Sequence, residues 1–467
     1  MNSHVKHSPI KTVNPFTNKI EKEFDVMTSE QVAKIIDNAD VAFKSWKNTP
    51  FSKRATIIRK VASIMRERKE TLGKLATIEM GKLLAESIYE VELSANIFDY
   101  YANNAAEFLA DKPLDVKHGE AFLSYEPIGV ILSVQPWNFP YYQITRSAAS
   151  NLMAGNTMVL KHASNVPQCA QIMEDIFKEA GLPNGVYTNL FVPGRSVSAI
   201  VSNPKIKAVT LTGSKPAGSS ITAAAGENVK KSTLELGGSD PFIVMADADV
   251  QEAVDVAVSG RMWNAGQVCV SPKRVIVPKS LYNEFLDKTK KAFANLVVGD
   301  PMDAATNVAP LSSEQAAVDV QKQVQKAAEQ GAAVRIGGNR VDREGAFLEP
   351  TLITDITPEM DAYFEEIFGP VFMLYQYDTI DEAIEIANAT EFGLGGSVFG
   401  KDTKKAVEVA RKIDTGMVYI NHVTGIAPEL PFGGTKESGF GREQSPAGIY
   451  EFTNAKLIRT TSSDKAY

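Results

Sequence analysis

Only two cysteines and five histidines occur in the 467 residues. So little cysteine excludes a disulfide scaffold and a Cys-rich zinc protein, and leaves each thiol to be either buried or catalytic. Among His4, His7, His118, His162 and His422 no pair has metal-ligand spacing, so no metal site is expected. An excess of positive charge is also missing: 49 Lys and Arg stand against 56 Asp and Glu, for a net charge of −7. Nothing in that balance attracts a nucleic acid. Long apolar runs are absent too; a stretch such as residues 129–134 falls far short of the roughly 20 residues that cross a bilayer, and the first residues lack an apolar signal core. These absences point to a cytoplasmic protein with neither membrane nor nucleic-acid partner. What is present is ordinary globular composition, and at roughly 150 residues per domain the length suggests about three structural units.

The pattern along the chain changes once. Between residues 29 and 109 apolar residues recur at helical spacing, as in Val32, Ile35, Ile36 and Ala39, with Ser29 as the expected N-cap and Gly81 as a helix stop. Residues 114–124 are polar and loosely alternating, as in a projecting arm. From residue 129 short β-rich runs alternate with helical stretches: strands are expected at 129–134, 157–160, 187–192, 208–211 and 241–244, with helices at 163–180, 197–202 and from 219. A second series places strands at 274–277, 333–336, 351–353, 371–377, 396–400 and 416–420, with helices at 318–330, 380–389 and 404–413. Such alternation makes parallel sheets covered on both faces. The fold class is α/β, with two successive open α/β domains and the break near residues 236–240.

Several segments carry chemistry-bearing side chains. Cys269 follows a small-residue turn (Asn264-Ala265-Gly266-Gln267-Val268) where a nucleophile can be exposed, whereas Cys169 sits in a helical pattern and reads as core. Glu235, flanked by leucines and followed by Gly237 and Gly238, suits a general base with a raised pKa; a strand-end carboxylate paired with Lys230 or Lys231 is the alternative. Asn138 lies between two aromatics pinned by Pro136 and Pro140, where an amide can donate to an oxyanion or simply pack. The turn Thr212-Gly213-Ser214 follows a strand and precedes a helix, so its amides can meet a phosphate, although neither standard phosphate-loop fingerprint is met. Lys161 ends a strand, where open α/β sheets bind ligands, or is merely solvated.

In combination and order, Pro136-Trp137-Asn138-Phe139-Pro140, Leu160-Lys161, Thr212-Gly213-Ser214, Leu234-Glu235-Leu236-Gly237-Gly238, Gly266-Gln267-Val268-Cys269, Glu366-Ile367-Phe368-Gly369-Pro370 and Pro431-Phe432-Gly433-Gly434 resemble the NAD(P)-dependent aldehyde dehydrogenase superfamily over residues 15–459. The resemblance implies a cofactor-binding domain (1–112 and 127–236), a catalytic domain (237–436), and an oligomerisation arm and strand (113–126 and 450–460) that pair between subunits of a homodimer or homotetramer. It implies Cys269 as nucleophile, Asn138 and the Cys269 N–H as oxyanion donors, and Glu235 as the base that hydrolyses a thioester. It assigns Trp137, Lys161, Ser164, Gly213, Ser214, Glu366 and Phe368 to the cofactor. Glu443 matches a second family carboxylate, whose lysine partner in some members is Ser147 here.

The run from Lys161 to Pro167 and the run Gly238-Ser239-Asp240-Pro241-Phe242 are most similar to the succinate-semialdehyde dehydrogenase branch. Arg146 matches an arginine that there engages the distal carboxylate of the substrate; being costly to bury unpaired, it implies either that ligand or an internal acid. A second anchoring arginine of some members falls on Trp263, and a serine falls near Ile426 and Ala427. Other small aliphatic or hydroxylated aldehydes, or a CoA-acylating reaction, are the alternative functions, and Glu235 argues against the last. NADP or NAD is implied as cofactor, with NADP favoured, because Ser164 stands where NAD-preferring members carry a glutamate; His162 is expected to pack rather than to contact the cofactor.

Overall fold

The structure, a computed structural model, describes residues 8–463, so His4 and His7 lie outside the described residues. A hairpin of β1 (Ile10–Asn14) and β2 (Lys19–Phe24) opens the chain, followed by α1 (Ser29–Trp46), α2 (Phe51–Glu67), α3 (Lys69–Met80) and α4 (Leu84–Phe108). The first cap differs from expectation by one residue. Thr28, not Ser29, accepts the Gln31 N–H, and the Gln31 side chain returns the bond to the Thr28 N–H. Gly81 does end α3, in the left-handed conformation at φ 86°.

The arm strands β3 (Lys112–Leu114) and β4 (Glu120–Pro127) lead into an alternating series. It comprises β5 (Val130–Gln135), α5 (Pro140–Ala154), β6 (Thr157–His162), α6 (Pro167–Glu179), β7 (Tyr187–Asn189), α7 (Val197–Val201), β8 (Ile206–Thr212), α8 (Lys215–Glu227) and β9 (Lys231–Glu235). Then follow β10 (Pro241–Val244), α9 (Val250–Met262), β11 (Arg274–Pro278), α10 (Lys279–Ala294), α11 (Glu314–Glu329), β12 (Ala333–Ile336), β13 (Thr351–Thr354) and β14 (Val371–Tyr377). The chain closes with α12 (Ile380–Asn388), β15 (Ser397–Phe399), α13 (Thr403–Ala410), β16 (Tyr419–Ile420), β17 (Gly439–Phe440), α14 (Ser445–Tyr450) and β18 (Thr453–Thr460).

One sheet has the order β17-β9-β8-β5-β6-β7 and the other β12-β13-β14-β11-β10-β15-β16; each is parallel except for one antiparallel edge strand, β17 and β12 respectively. Strands β5, β6, β10 and β11 are buried at every position, as expected of apolar runs covered by helices on both faces. The chain passes from one sheet to the other between Glu235, which ends β9, and Pro241, which starts β10.

Helices α5, α9, α10 and α14 and strands β1, β2, β9 and β17 escaped the periodicity. Every residue of α5 is buried, so it presents no polar face to reveal a helical period. Helix α8 also begins earlier than expected, at Lys215, because Ser214 occupies the N-cap position. β18 pairs antiparallel with β4 of its own chain from Thr453↔Pro127 to Thr460↔Glu120, so its hydrogen bonds on that side are closed within the subunit.

Candidate active site

Asn138 sits in the turn between β5 and α5, and α4 fixes that turn. Glu90 accepts the N–H groups of Tyr141 at 2.7 Å and Tyr142 at 3.0 Å, capping α5 from outside, and forms a buried ion pair with Lys82. Gln143 Nε2 donates to Asn138 Oδ1 at 3.2 Å, which turns the Asn138 NH₂ toward the Gln267 carbonyl at 3.1 Å. One amide proton is used there, and the second is free to donate.

Cys269 follows the short helical turn Trp263–Gly266, in which Asn264 and Ala265 both take a left-handed φ of 50°. Such strain persists only where neighbours impose it. The Asn264 N–H donates to both oxygens of Glu86, at 3.1 and 3.2 Å, and its side chain donates to the Asn138 carbonyl at 2.9 Å. Burial pushes Glu86 up to about 7. Helix α4 therefore steadies both segments, one through Glu90 and the other through Glu86. The Cys269 thiol is partly exposed, and burial of its surroundings pushes it up to about 11, against the opposing pull of Lys273 and Arg146. Cys169, by contrast, is fully buried in α6.

Glu235 ends β9 with neither carboxylate oxygen hydrogen-bonded, and desolvation holds it well above the usual carboxylate range. The alternative lysine pairing does not occur: Lys230 donates to the carbonyls of Val201 and Asn203, and Lys231 pairs with Glu451 at 3.2 Å. Arg146 has its internal acid, forming an ion pair with Glu443 while Nη2 donates to Thr212 Oγ1. Its Nη1 is buried without an acceptor. The guanidinium lies 5.4 Å from the ring of Tyr142 and 4.9 Å from that of Phe432. Arg146 is the charge that both Glu235 and Cys269 sense.

A crevice of about 280 Å³ gathers Trp137, Asn138, Gly213, Ser214, Cys269, Glu366 and Phe368, which sequence reasoning had drawn from four separate motifs. Trp137 and Phe368 meet edge to face at 5.9 Å. No acidic residue lies in the first turn of α8 behind Ser214, so its amides and dipole are open to an anion. A Cβ added at Gly237 would lie 2.1 Å from Glu366 Oε2, so only glycine leaves room there. Lys161 and Ser164 stand apart from this lining, at and just beyond the end of β6. Lys161 is 9% exposed and held below its ordinary pKa by burial alone, while Ser164 is exposed. His162 is buried between the carbonyls of Gln135 and Pro140, as its packing role required.

The family model "Aldehyde dehydrogenase family" matches residues 2–458. The chain belongs to the aldehyde dehydrogenase family. This aldehyde dehydrogenase is 48% identical over 451 residues to the succinate-semialdehyde dehydrogenase [NADP(+)] of Deinococcus radiodurans, covering 97% of this chain and 94% of the relative. It is 47% identical over 453 residues to succinate-semialdehyde dehydrogenase [NADP(+)] 1 of Mycobacterium tuberculosis, covering 96% and 99%. The crystal structure of succinic semialdehyde dehydrogenase from Streptococcus pyogenes in complex with NADP+ matches with a TM-score of 0.96 and 44% identity over 97% of this chain and 100% of that one.

A second cavity of the enzyme, about 600 Å³, reaches Val268 and Val270 on either side of Cys269. Trp263 and Ile426, the positions where anchoring polar residues of some members are replaced, line it, so that wall is apolar. Sequence reasoning missed Glu86, Glu90, Gln143, Asn264 and Lys273. The four-residue spacing of Glu86 and Glu90 was the available signal for one face of α4, with Lys82 just before the helix; the others act through contacts that no local motif announces. Among the described residues no three His, Cys, Asp or Glu side chains converge as metal ligands, and no helix is long and apolar enough to cross a membrane.

Proposed function

We propose that this enzyme oxidises succinate semialdehyde to succinate with NADP, and that Cys269, Asn138 and Glu235 carry the chemistry. Cys269 Sγ attacks the aldehyde carbon, and the oxyanion takes hydrogen bonds from the free Asn138 Nδ2 proton and the Cys269 N–H. When bound, the nicotinamide supplies the hydride acceptor. Cys269 then holds the oxidised carbon as a thioester. Glu235 takes a proton from water, the hydroxide adds to the thioester, and the Cys269 thiolate leaves with the acid as product. What supports the cofactor is the crevice, with open amides at the α8 N-terminus for the pyrophosphate, Glu366 Oε2 for the nicotinamide ribose and Trp137 and Phe368 beside the ring, together with Lys161 and Ser164, outside that lining, for the adenosine ribose phosphate. On this reading residues 1–112 with 127–236 bind the cofactor and 237–436 form the catalytic domain.

What supports the substrate is the set of relatives named for it, and Arg146, although already paired with Glu443, keeps one buried Nη1 without an acceptor. The distal carboxylate of succinate semialdehyde supplies one. The enzyme is cytoplasmic and forms a homodimer or homotetramer through the arm sheet, whose outer strand β18 leaves Leu457 58% and Ile458 38% exposed. Following reduced-cofactor absorbance with a panel of aldehydes, NADP or NAD, and with or without CoA tests the reading. Succinate semialdehyde should give the highest kcat/KM, with free acid formed and no CoA requirement. A CoA requirement, or preference for an uncharged aldehyde of equal length, overturns it.

A further inference from the structure

Lys273 lies four residues after Cys269, fully buried. Its ammonium has three donors, and three acceptors surround it: the Val268 carbonyl at 2.8 Å, the Cys269 carbonyl at 2.7 Å and Glu366 Oε1 at 3.2 Å. The same Oε1 accepts the Gly238 N–H at 3.1 Å, which leaves Oε2 toward the crevice. Lys273 Nζ also lies 5.8 Å from the centre of the Phe368 ring. One buried cation therefore grips the carbonyl of the nucleophile with part of its valence and the crevice wall with the rest. Such a group is costly to keep in the core, and a neutral side chain of the same length would fill the space without that cost. The proposed mechanism gives Lys273 no task.

We infer that Lys273 is a positioning residue that couples occupancy of the crevice at Glu366 to the reactivity of Cys269. Hydroxyl donors bound at Glu366 Oε2 draw carboxylate charge away from Oε1. The ammonium is then less neutralised by Glu366, so its field at Cys269 favours the thiolate more strongly. The other charges that act on the thiol are Arg146, Glu366 and Asp240; of these, only Glu366 is both a partner of Lys273 and part of the crevice lining. The inference rests on the proposed roles of Cys269 and Glu366.

The test is the rate of Cys269 alkylation by iodoacetamide against pH, with and without NADP, in the parent enzyme and in Lys273→Met, Lys273→Arg and Glu366→Gln, with NADP affinity measured separately by fluorescence titration. In the parent, NADP should lower the midpoint of the alkylation profile. In Lys273→Met the midpoint should rise by about one pH unit, a tenfold loss of thiolate at fixed pH below it, and bound NADP should no longer move it. Lys273→Arg should recover part of the cofactor effect. Glu366→Gln should lose that effect while the thiol still reacts, which carries the test even if Lys273→Met fails to fold. The coupling alone is overturned if Lys273→Met keeps the parental midpoint and cofactor shift, or if the parent binds NADP without any shift. Turnover by Cys269→Ala, or a parent that binds no NADP, removes the underlying functional reading and the coupling with it.

Discussion

Arg146 and Glu443 form an ion pair inside the protein, with side chains only 1% and 7% exposed, beside a second carboxylate, Glu235, that has no hydrogen bond at all. Two acids thus share the field of one buried cation. The paired acid has its charge compensated, whereas the unpaired one is pushed toward its neutral form by burial, an effect that Glu443 reinforces. That separation gives Glu235 the character of a base that regains its proton readily.

Replacing Arg146 by Gln should have two measurable consequences. Leaving Glu443 buried and unpaired costs on the order of 3–5 kcal/mol, read as a lowered unfolding midpoint, and Glu443→Gln in the same chain should recover part of it. The KM for succinate semialdehyde should rise at least tenfold while an uncharged aldehyde of equal length is much less affected. Equal losses for both aldehydes would assign Arg146 to structure.

Glu235→Gln should keep a pre-steady-state burst of reduced cofactor and lose steady turnover, because only thioester hydrolysis needs the base. Parental turnover should rise with pH as the carboxyl ionises. Stability should move the opposite way. A carboxyl whose folded pKa is raised contributes stability that is full below its unfolded value and is lost as pH climbs through the folded value. The variant should therefore match the parent near pH 4, about the ordinary glutamate value, and exceed it increasingly toward neutral and alkaline pH in thermal melts. A burst that disappears would show that Glu235 is needed before the thioester forms.

Cys269→Ala should abolish aldehyde oxidation and leave NADP affinity within a few-fold of the parent, measured by titration in the absence of aldehyde. The thiol forms the bond to substrate, while the crevice is walled by other residues as well.

Ser164→Glu should lower kcat/KM for NADP by like-charge repulsion at an exposed site beside Lys161, and raise it for NAD. A parent that already prefers NAD strongly would show that Ser164 is not the selector.

Glu90→Ala should be among the most destabilising substitutions in the helical block. It strips Lys82 of its partner at a site where both side chains are 0% exposed, and uncaps α5. A loss of roughly 3–5 kcal/mol is expected from the stranded charge, and kcat should fall with it because Asn138 is positioned by that helix. Unfolding and single-turnover rates measured on one preparation check both.

The sequence by itself determined the α/β class, most of the strands, the passage between the sheets and the identities of most crevice residues. Those features rest on local chemistry: β-rich apolar runs, the glycines that follow Glu235, and short motifs around Asn138, Glu235 and Cys269. The tertiary structure decided the rest. Helix α5 was invisible because burial on every side erases the amphipathic period, and β18 found β4 across more than three hundred residues because strand pairing is a long-range choice. The same holds within the site. No spacing rule joins Arg146 to Glu443, Glu86 to Asn264 or Lys273 to Glu366, since desolvation and ion pairing depend on which groups the packed core brings within a few ångströms, and that is a property of the fold rather than of neighbours along the chain.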